Sequence, residues 1–206
     1  MRTLSMGSVG SDVRTLQKAL GLREDGIFGI ETEKAVKGFQ AQNGLVADGV
    51  VGARTWEKIL KNDSVPIVKS RRRINEIIVH CSATAEGKDY TVSDITKWHK
   101  ARGFATIGYH YVVYRDGSIH EGRDINSAGA HCTGHNANSI GVCYIGGCGI
   151  DARTPKDTRT QAQKTALESL LRKLRALYPT ARIHGHRDFA NKACPSFDAT
   201  KEYANI

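Results

Sequence analysis

The segment Asp25-Gly26-Ile27-Phe28-Gly29-Ile30-Glu31-Thr32 recurs 23 residues later as Asp48-Gly49-Val50-Val51-Gly52-Ala53-Arg54-Thr55, a shared D-G-x-x-G-x-x-T pattern. Asp-Gly is a turn dipeptide, the second glycine of each copy is expected to take a backbone angle closed to other residues, and the threonine falls in the first turn of an amphipathic run. Each copy reads as a turn feeding a helix. Helical spacing follows in Ala35, Val36 and Phe39 and again in Trp56, Ile59 and Leu60, while Val13, Leu16 and Leu20 form an earlier stripe. Three short helices sharing one small core are expected over residues 1–62, near the lower size limit for independent folding.

Periodicity then stops. Residues 63–73 contain Pro66 and the run Lys69-Ser70-Arg71-Arg72-Arg73, which reads as a solvated basic linker. It is short and carries no interleaved aromatic residue, so it is not read as a nucleic-acid site. Residues 74–206 alternate between strand and helix patterns. Ile74 to Val79 reads as a buried strand, Val92 to Arg102 as a helix capped by Ser93, and Gly108 to Tyr114 as a strand turning through Asp116-Gly117 into Ser118 to Gly122. Ser139 to Ile145 is another apolar strand, Thr160 to Tyr178 a long helix with leucines on one face, and Ala181 to His184 a last strand. That order predicts an α+β or α/β domain, a mixed central β-sheet flanked by helices, preceded by the small three-helix domain.

The 30 Lys+Arg against 21 Asp+Glu leave a net charge of +9, which calls for an acidic partner but cannot choose between nucleic acid, anionic lipid and the carboxylate-rich bacterial wall. No window approaches the roughly 20 apolar residues of a membrane helix, and the first residues lack the apolar core of a signal peptide, so a product made in the cytoplasm is expected. Five cysteines, an odd count at irregular spacing, argue against a disulfide scaffold.

Histidine and cysteine fall where strands end. His80 closes the first strand, and His186 and Cys194 bracket the loop after the last. Two imidazoles and a thiolate would give zinc three protein ligands and leave the fourth position for water, the arrangement of a hydrolytic site. Spacing alone leaves ordinary core or surface roles for these residues equally open, and His184 competes with His186. His99 and His120 read as solvated, His110 is ambiguous between packing and ligation, Cys81 reads as packed, and Cys132, Cys143 and Cys148 as free thiols. No carboxylate stands out as a general base.

Gly7-Ser8, Leu16-Gln17, Asp25-Gly26-Ile27-Phe28-Gly29, Phe39-Gln40, Asp48-Gly49 and Thr55-Trp56 resemble the three-helix peptidoglycan-binding module of wall hydrolases. Ile78-Val79-His80-Cys81-Ser82-Ala83-Thr84, Gly108-Tyr109-His110-Tyr111, Gly129-Ala130-His131, Asn138-Ser139-Ile140-Gly141-Val142, Gly185-His186-Arg187-Asp188 and Ala193-Cys194-Pro195 resemble the type-2 N-acetylmuramoyl-L-alanine amidases, which include phage amidase-lysozymes and animal peptidoglycan recognition proteins. The resemblance implies one zinc per chain held by His80, His186 and Cys194, with Tyr109 and Lys192 as the catalytic pair. It implies hydrolysis of the amide between muramic acid and L-alanine of bacterial peptidoglycan, by an endolysin-type enzyme acting as a monomer, with no nucleic acid and no membrane insertion. His131, Thr84 and Asn138 are expected to line the substrate groove. Recognition proteins that bind without cutting have lost the cysteine, so Cys194 favours an enzyme over a non-catalytic receptor; a wall-recycling amidase or an injected antibacterial effector would show the same residues.

Overall fold

The computed structural model describes residues 2–62 and 65–206, with only the backbone for 60–62, so the Leu60 side chain and linker residues 63 and 64 lie outside the described residues. Three helices form near the amino terminus: α1 (Ser11–Ala19), α2 (Ile30–Gln42) and α3 (Ala53–Asn62). They bury Leu4, Val13, Leu16, Phe28, Val36, Phe39, Val51, Trp56 and Ile59 in one core, as the apolar stripes predict.

The repeat is organised by a residue outside its pattern. Gln17 donates from Nε2 to Asp25 Oδ1 (2.7 Å), Ile27 O (3.0 Å) and Thr32 Oγ1 (3.2 Å), and its Oε1 accepts from Gly26 N (2.8 Å). Gln40 repeats the set with Asp48 (2.9 Å), Val50 O (2.9 Å), Thr55 (3.2 Å) and Gly49 N (2.9 Å). The left-handed residues are Gly26 and Gly49, both at φ +79°, and not the second glycines: Gly29 has φ −96° and serves as the N-cap of α2. The reason is the Asx turn, in which Asp25 Oδ1 accepts from Ile27 N at 2.9 Å and forces the glycine between them to turn. Both glutamines are buried, so Gln40→Ala leaves the buried Gly49 N–H without its acceptor and removes the donor that Asp48, Val50 O and Thr55 share. It is expected to destabilise this core by about 2 kcal/mol or more, read as an earlier urea midpoint.

The second core is built on a five-stranded sheet in the order β4-β3-β5-β1-β7. Its members are β1 (Glu76–Cys81), β3 (Tyr111–Val113), β4 (Ile119–Glu121), β5 (Ser139–Tyr144) and β7 (Arg182–Gly185). All neighbours run parallel except the edge hairpin β3–β4. Ile77, Val79, Ile140, Val142, Tyr111 and Val113 pack one face against Leu167, Leu170, Leu171 and Leu174 of α5 (Gln161–Leu177). Thr160 caps α5, and buried Gln163 donates to Val113 O (3.2 Å) and Ile145 O (2.9 Å), tying the helix to the ends of two strands. The other face carries α4 (Val92–Ala101), capped by Thr91 with Asp94 in place of the expected Ser93. A two-stranded sheet, β2 (Thr84–Ala85) with β6 (Gly147–Cys148), and a short carboxy-terminal helix α6 (Ala199–Glu202) complete the elements.

The basic run before β1 is not a free tether. Arg72 donates to the carbonyls of Ile125 (2.9 Å), Ala137 (3.1 Å) and Ser139 (3.1 Å), and Ser70 Oγ donates to Ile125 O (2.8 Å). The guanidinium fork has enough donors to gather carbonyls from two loops, which a lysine could not do.

Candidate metal centre

Register explains how two distant histidines meet. Val79 of β1 lies opposite Gly185 of β7, so the next residues, His80 and His186, emerge side by side at the carboxyl end of adjacent parallel strands. Their ring centroids are 4.6 Å apart. The chain then makes a 3-10 turn (His186–Asp188) and a loop that Arg187 N closes by donating to Cys194 O at 2.7 Å. That closure returns Cys194 to β1, where Cys81 N donates to its Sγ at 3.3 Å. One donor atom from each of His80, His186 and Cys194 lies within 4.8 Å of the others. Two nitrogens and a thiol are the donor set zinc accepts, so the residues fit the ion that the sequence implies.

Burial, reinforced by His131, His186 and Lys192, holds His80 well below the usual histidine range, and burial with Lys192 lowers His186. Both rings are therefore neutral at neutral pH, as ligation requires. The Cys81 thiol beside it, together with burial, holds the Cys194 thiol above its ordinary range. A metal entering this site must displace that proton. Cys81 is buried, in keeping with its reading as packed, and Cys132, Cys143 and Cys148 are free thiols as read, all three buried.

The remaining predicted residues are placed unevenly. The Tyr109 ring is 5.0 Å from His80, and burial with the neighbouring thiols holds its phenol well above the ordinary range, so the hydroxyl stays a neutral donor. Lys192 is exposed on the ligand loop, with its charge felt at both His80 and His186. Thr84 is buried in β2, its Oγ1 2.7 Å from Ser82 Oγ. Asn138 is exposed at the start of β5, its carbonyl accepting from Asn75 and Glu76, about 16 Å of strand from His80. His184 turns to Asp188, 3.7 Å away, and Phe189, leaving His186 in the cluster.

Three sequence readings need correction. His99 is buried, its Nδ1 accepting from Gly108 N at 2.9 Å, because it shares the inward face of α4 with Ile95. His120 is half-buried and stacks on Tyr114 at 3.7 Å. The strand expected over Gly108 to Tyr114 is shorter, because β3 begins only at Tyr111; Tyr109 and His110 precede it, and both rings lie near His131, at 6.4 and 5.7 Å.

His110 is structural. Gly141 N donates to its Nδ1 at 2.9 Å, its Nε2 is 3.1 Å from Ser127 O, and burial pushes its pKa down to about 4. Above about pH 6.5 the ring is neutral whether folded or not and contributes nothing to pH dependence. Between about 6.5 and 4 the unfolded chain takes up a proton that the native chain refuses, so stability falls as pH falls, by up to about 1.4 kcal/mol per unit. Replacing it with asparagine, which keeps the acceptor for Gly141, is expected to make the acid limb of the metal-free protein less steep in urea titrations at several pH values, the other lowered histidines supplying the rest.

Comparison with known proteins adds the family. A model of the N-acetylmuramoyl-L-alanine amidases matches residues 70–197. The chain belongs to that family. A second model, of a putative peptidoglycan binding domain, matches residues 9–59. The amidase is 45% identical to the endolysin of Enterobacteria phage K11 over 129 residues, covering 62% of this chain and 84% of the relative. It is also 45% identical to the endolysin of Escherichia phage T7 over 131 residues, 63% and 85% of the two chains. Among solved structures it is similar to the N-acetylmuramoyl-L-alanine amidase LysC from Clostridium intestinale, with a TM-score of 0.54 and 27% identity over 68% of this chain and 91% of the other. As an amidase of this family it is a peptidoglycan hydrolase.

Proposed function

We propose that the amidase cuts the bond between N-acetylmuramic acid and L-alanine with one zinc ion held by His80, His186 and Cys194, as an endolysin. The observation that carries this reading is the convergence of two imidazoles and one thiol within 4.8 Å at the carboxyl end of the sheet. Bound there with three protein ligands, zinc supplies a Lewis acid for the scissile carbonyl and acidifies a water. Lys192 sets a positive charge at the open side of the ligand loop, where the amide oxygen turns negative as the carbon becomes tetrahedral. Tyr109, neutral at every working pH, donates a hydrogen bond toward the same region without competing for the proton. The fully buried His80 closes the floor of the site against bulk water. Residues 1–62 hold the enzyme on its insoluble polymer, a reading supported by the match to a peptidoglycan-binding model over 9–59.

Purified sacculi digested with and without a chelator test the assignment. Free amino-terminal L-alanine on intact glycan strands, abolished by the chelator, is the expected result. New reducing sugar ends would make the enzyme a glycosidase, and chelator-resistant release of L-alanine would remove zinc from the reading.

A further inference from the structure

The sequence places His131 in the substrate groove, but the structure buries it, 9% exposed, against His80 of β1 and Ser139 of β5. Its Nδ1 is 3.0 Å from His80 Nε2 and its Nε2 is 3.3 Å from the hydroxyl of Ser139, itself wholly buried. His80 turns its other nitrogen, Nδ1, toward Cys194 Sγ at 3.8 Å. An imidazole that ligates through Nδ1 carries its hydrogen on Nε2, and His131 Nδ1 is placed to accept it. With Nδ1 so occupied, neutral His131 carries its own hydrogen on Nε2 and donates to Ser139 Oγ. The chain His80, His131, Ser139 then has one direction, away from the ligand cluster.

The fold makes room for this ring specifically. A Cβ on Gly141 would lie 2.6 Å from His131 Cδ2, and one on Gly129 would run into the same ring. Asn136 Oδ1 accepts from the backbone N–H of His131 (2.8 Å) and Cys132 (3.0 Å), so one side chain pins the loop that carries the ring. A residue that merely lined a groove would need neither the two glycines nor a buried hydroxyl behind it.

We propose that His131 is a positioning residue of the metal centre: it orients His80 with Nδ1 toward the ion and strengthens it as a ligand, anchored in turn by Ser139. This rests on the reading of His80, His186 and Cys194 as zinc ligands. Partners of this kind behind a ligating histidine are worth about 10- to 100-fold in metal affinity.

The test is the zinc dissociation constant at neutral pH, measured by competition with a chromophoric chelator, with thermal unfolding of each metal-free protein recorded alongside. His131→Leu is expected to bind zinc about 10- to 100-fold more weakly than wild type. His131→Asn, whose Oδ1 can take the place of Nδ1, is expected to recover most of that loss. Ser139→Ala keeps the His80 contact, gives a second variant should the leucine protein fail to fold, and is expected to fall between wild type and His131→Leu. If His131→Leu and Ser139→Ala both bind zinc as tightly as wild type while only their metal-free unfolding temperatures fall, His131 is packing and the proposal is wrong. A wild-type chain that takes up no zinc would instead overturn the ligand assignment on which it rests.

Discussion

The His186→Ala protein is expected to purify without zinc and to lose turnover on soluble muropeptides by more than about 1000-fold. Removing a single preorganised electrostatic group from a hydrolytic site costs about 100- to 1000-fold, and a metal that both polarises the carbonyl and acidifies water must cost more. Three donors cannot spare one. His186 is the informative choice among them, because His80 is wholly buried and its truncation would also open a cavity, whereas His186 leads out of β7 into a loop. Cys194→Ser should be nearly as damaging, since a hydroxyl is a far poorer zinc ligand than a thiolate. Elemental analysis and turnover on the same samples decide the matter, and full zinc occupancy in the His186→Ala protein would break the assignment.

Tyr109→Phe and Lys192→Ala are expected to do the opposite to metal and the same to rate. Each should keep its zinc and its fold but turn over soluble muropeptides about 100- to 1000-fold more slowly, with substrate affinity little changed, because each acts on charge that develops only in the transition state. The structure supports the two differently. Tyr109 sits with its ring 5.0 Å from a proposed ligand and is held neutral by its surroundings. Lys192 is exposed, its backbone N–H donates to Ala190 O, and it is close enough for its charge to lower both His80 and His186. A zinc-loaded Lys192→Ala protein with wild-type turnover would return that residue to the solvated surface and leave the Tyr109 hydroxyl as the donor.

Much of the candidate site was legible because its parts are local. The Asp-Gly repeats, the apolar stripes of α1 to α3 and the leucine face of α5 follow from turn chemistry and periodicity, which act over a few residues. His80 at the end of a strand, and His186 and Cys194 around a loop, were likewise visible as metal-ligand chemistry waiting for a geometry.

What failed to appear in the sequence was non-local. The two glycines and two glutamines that matter most, Gly141, Gly129, Gln17 and Gln40, are set by what approaches them from elsewhere: a histidine ring and a repeated set of buried partners. The basic run read as a tether because charge predicts solvation, yet Arg72 spends its donors on loop carbonyls that pattern reading cannot bring near it. His131 was assigned outward from its small-residue loop and lies inward, because β5 offers a glycine where a side chain would have blocked it. By itself the sequence determined which residues could bind a metal and which helices could form, since both depend on residue type and short spacing. Only the tertiary structure decided that β1 and β7 run in a register placing His80 beside His186, and that the ring behind His80 belongs to His131, because strand pairing and loop packing join residues far apart in the chain and no local propensity encodes which ones meet.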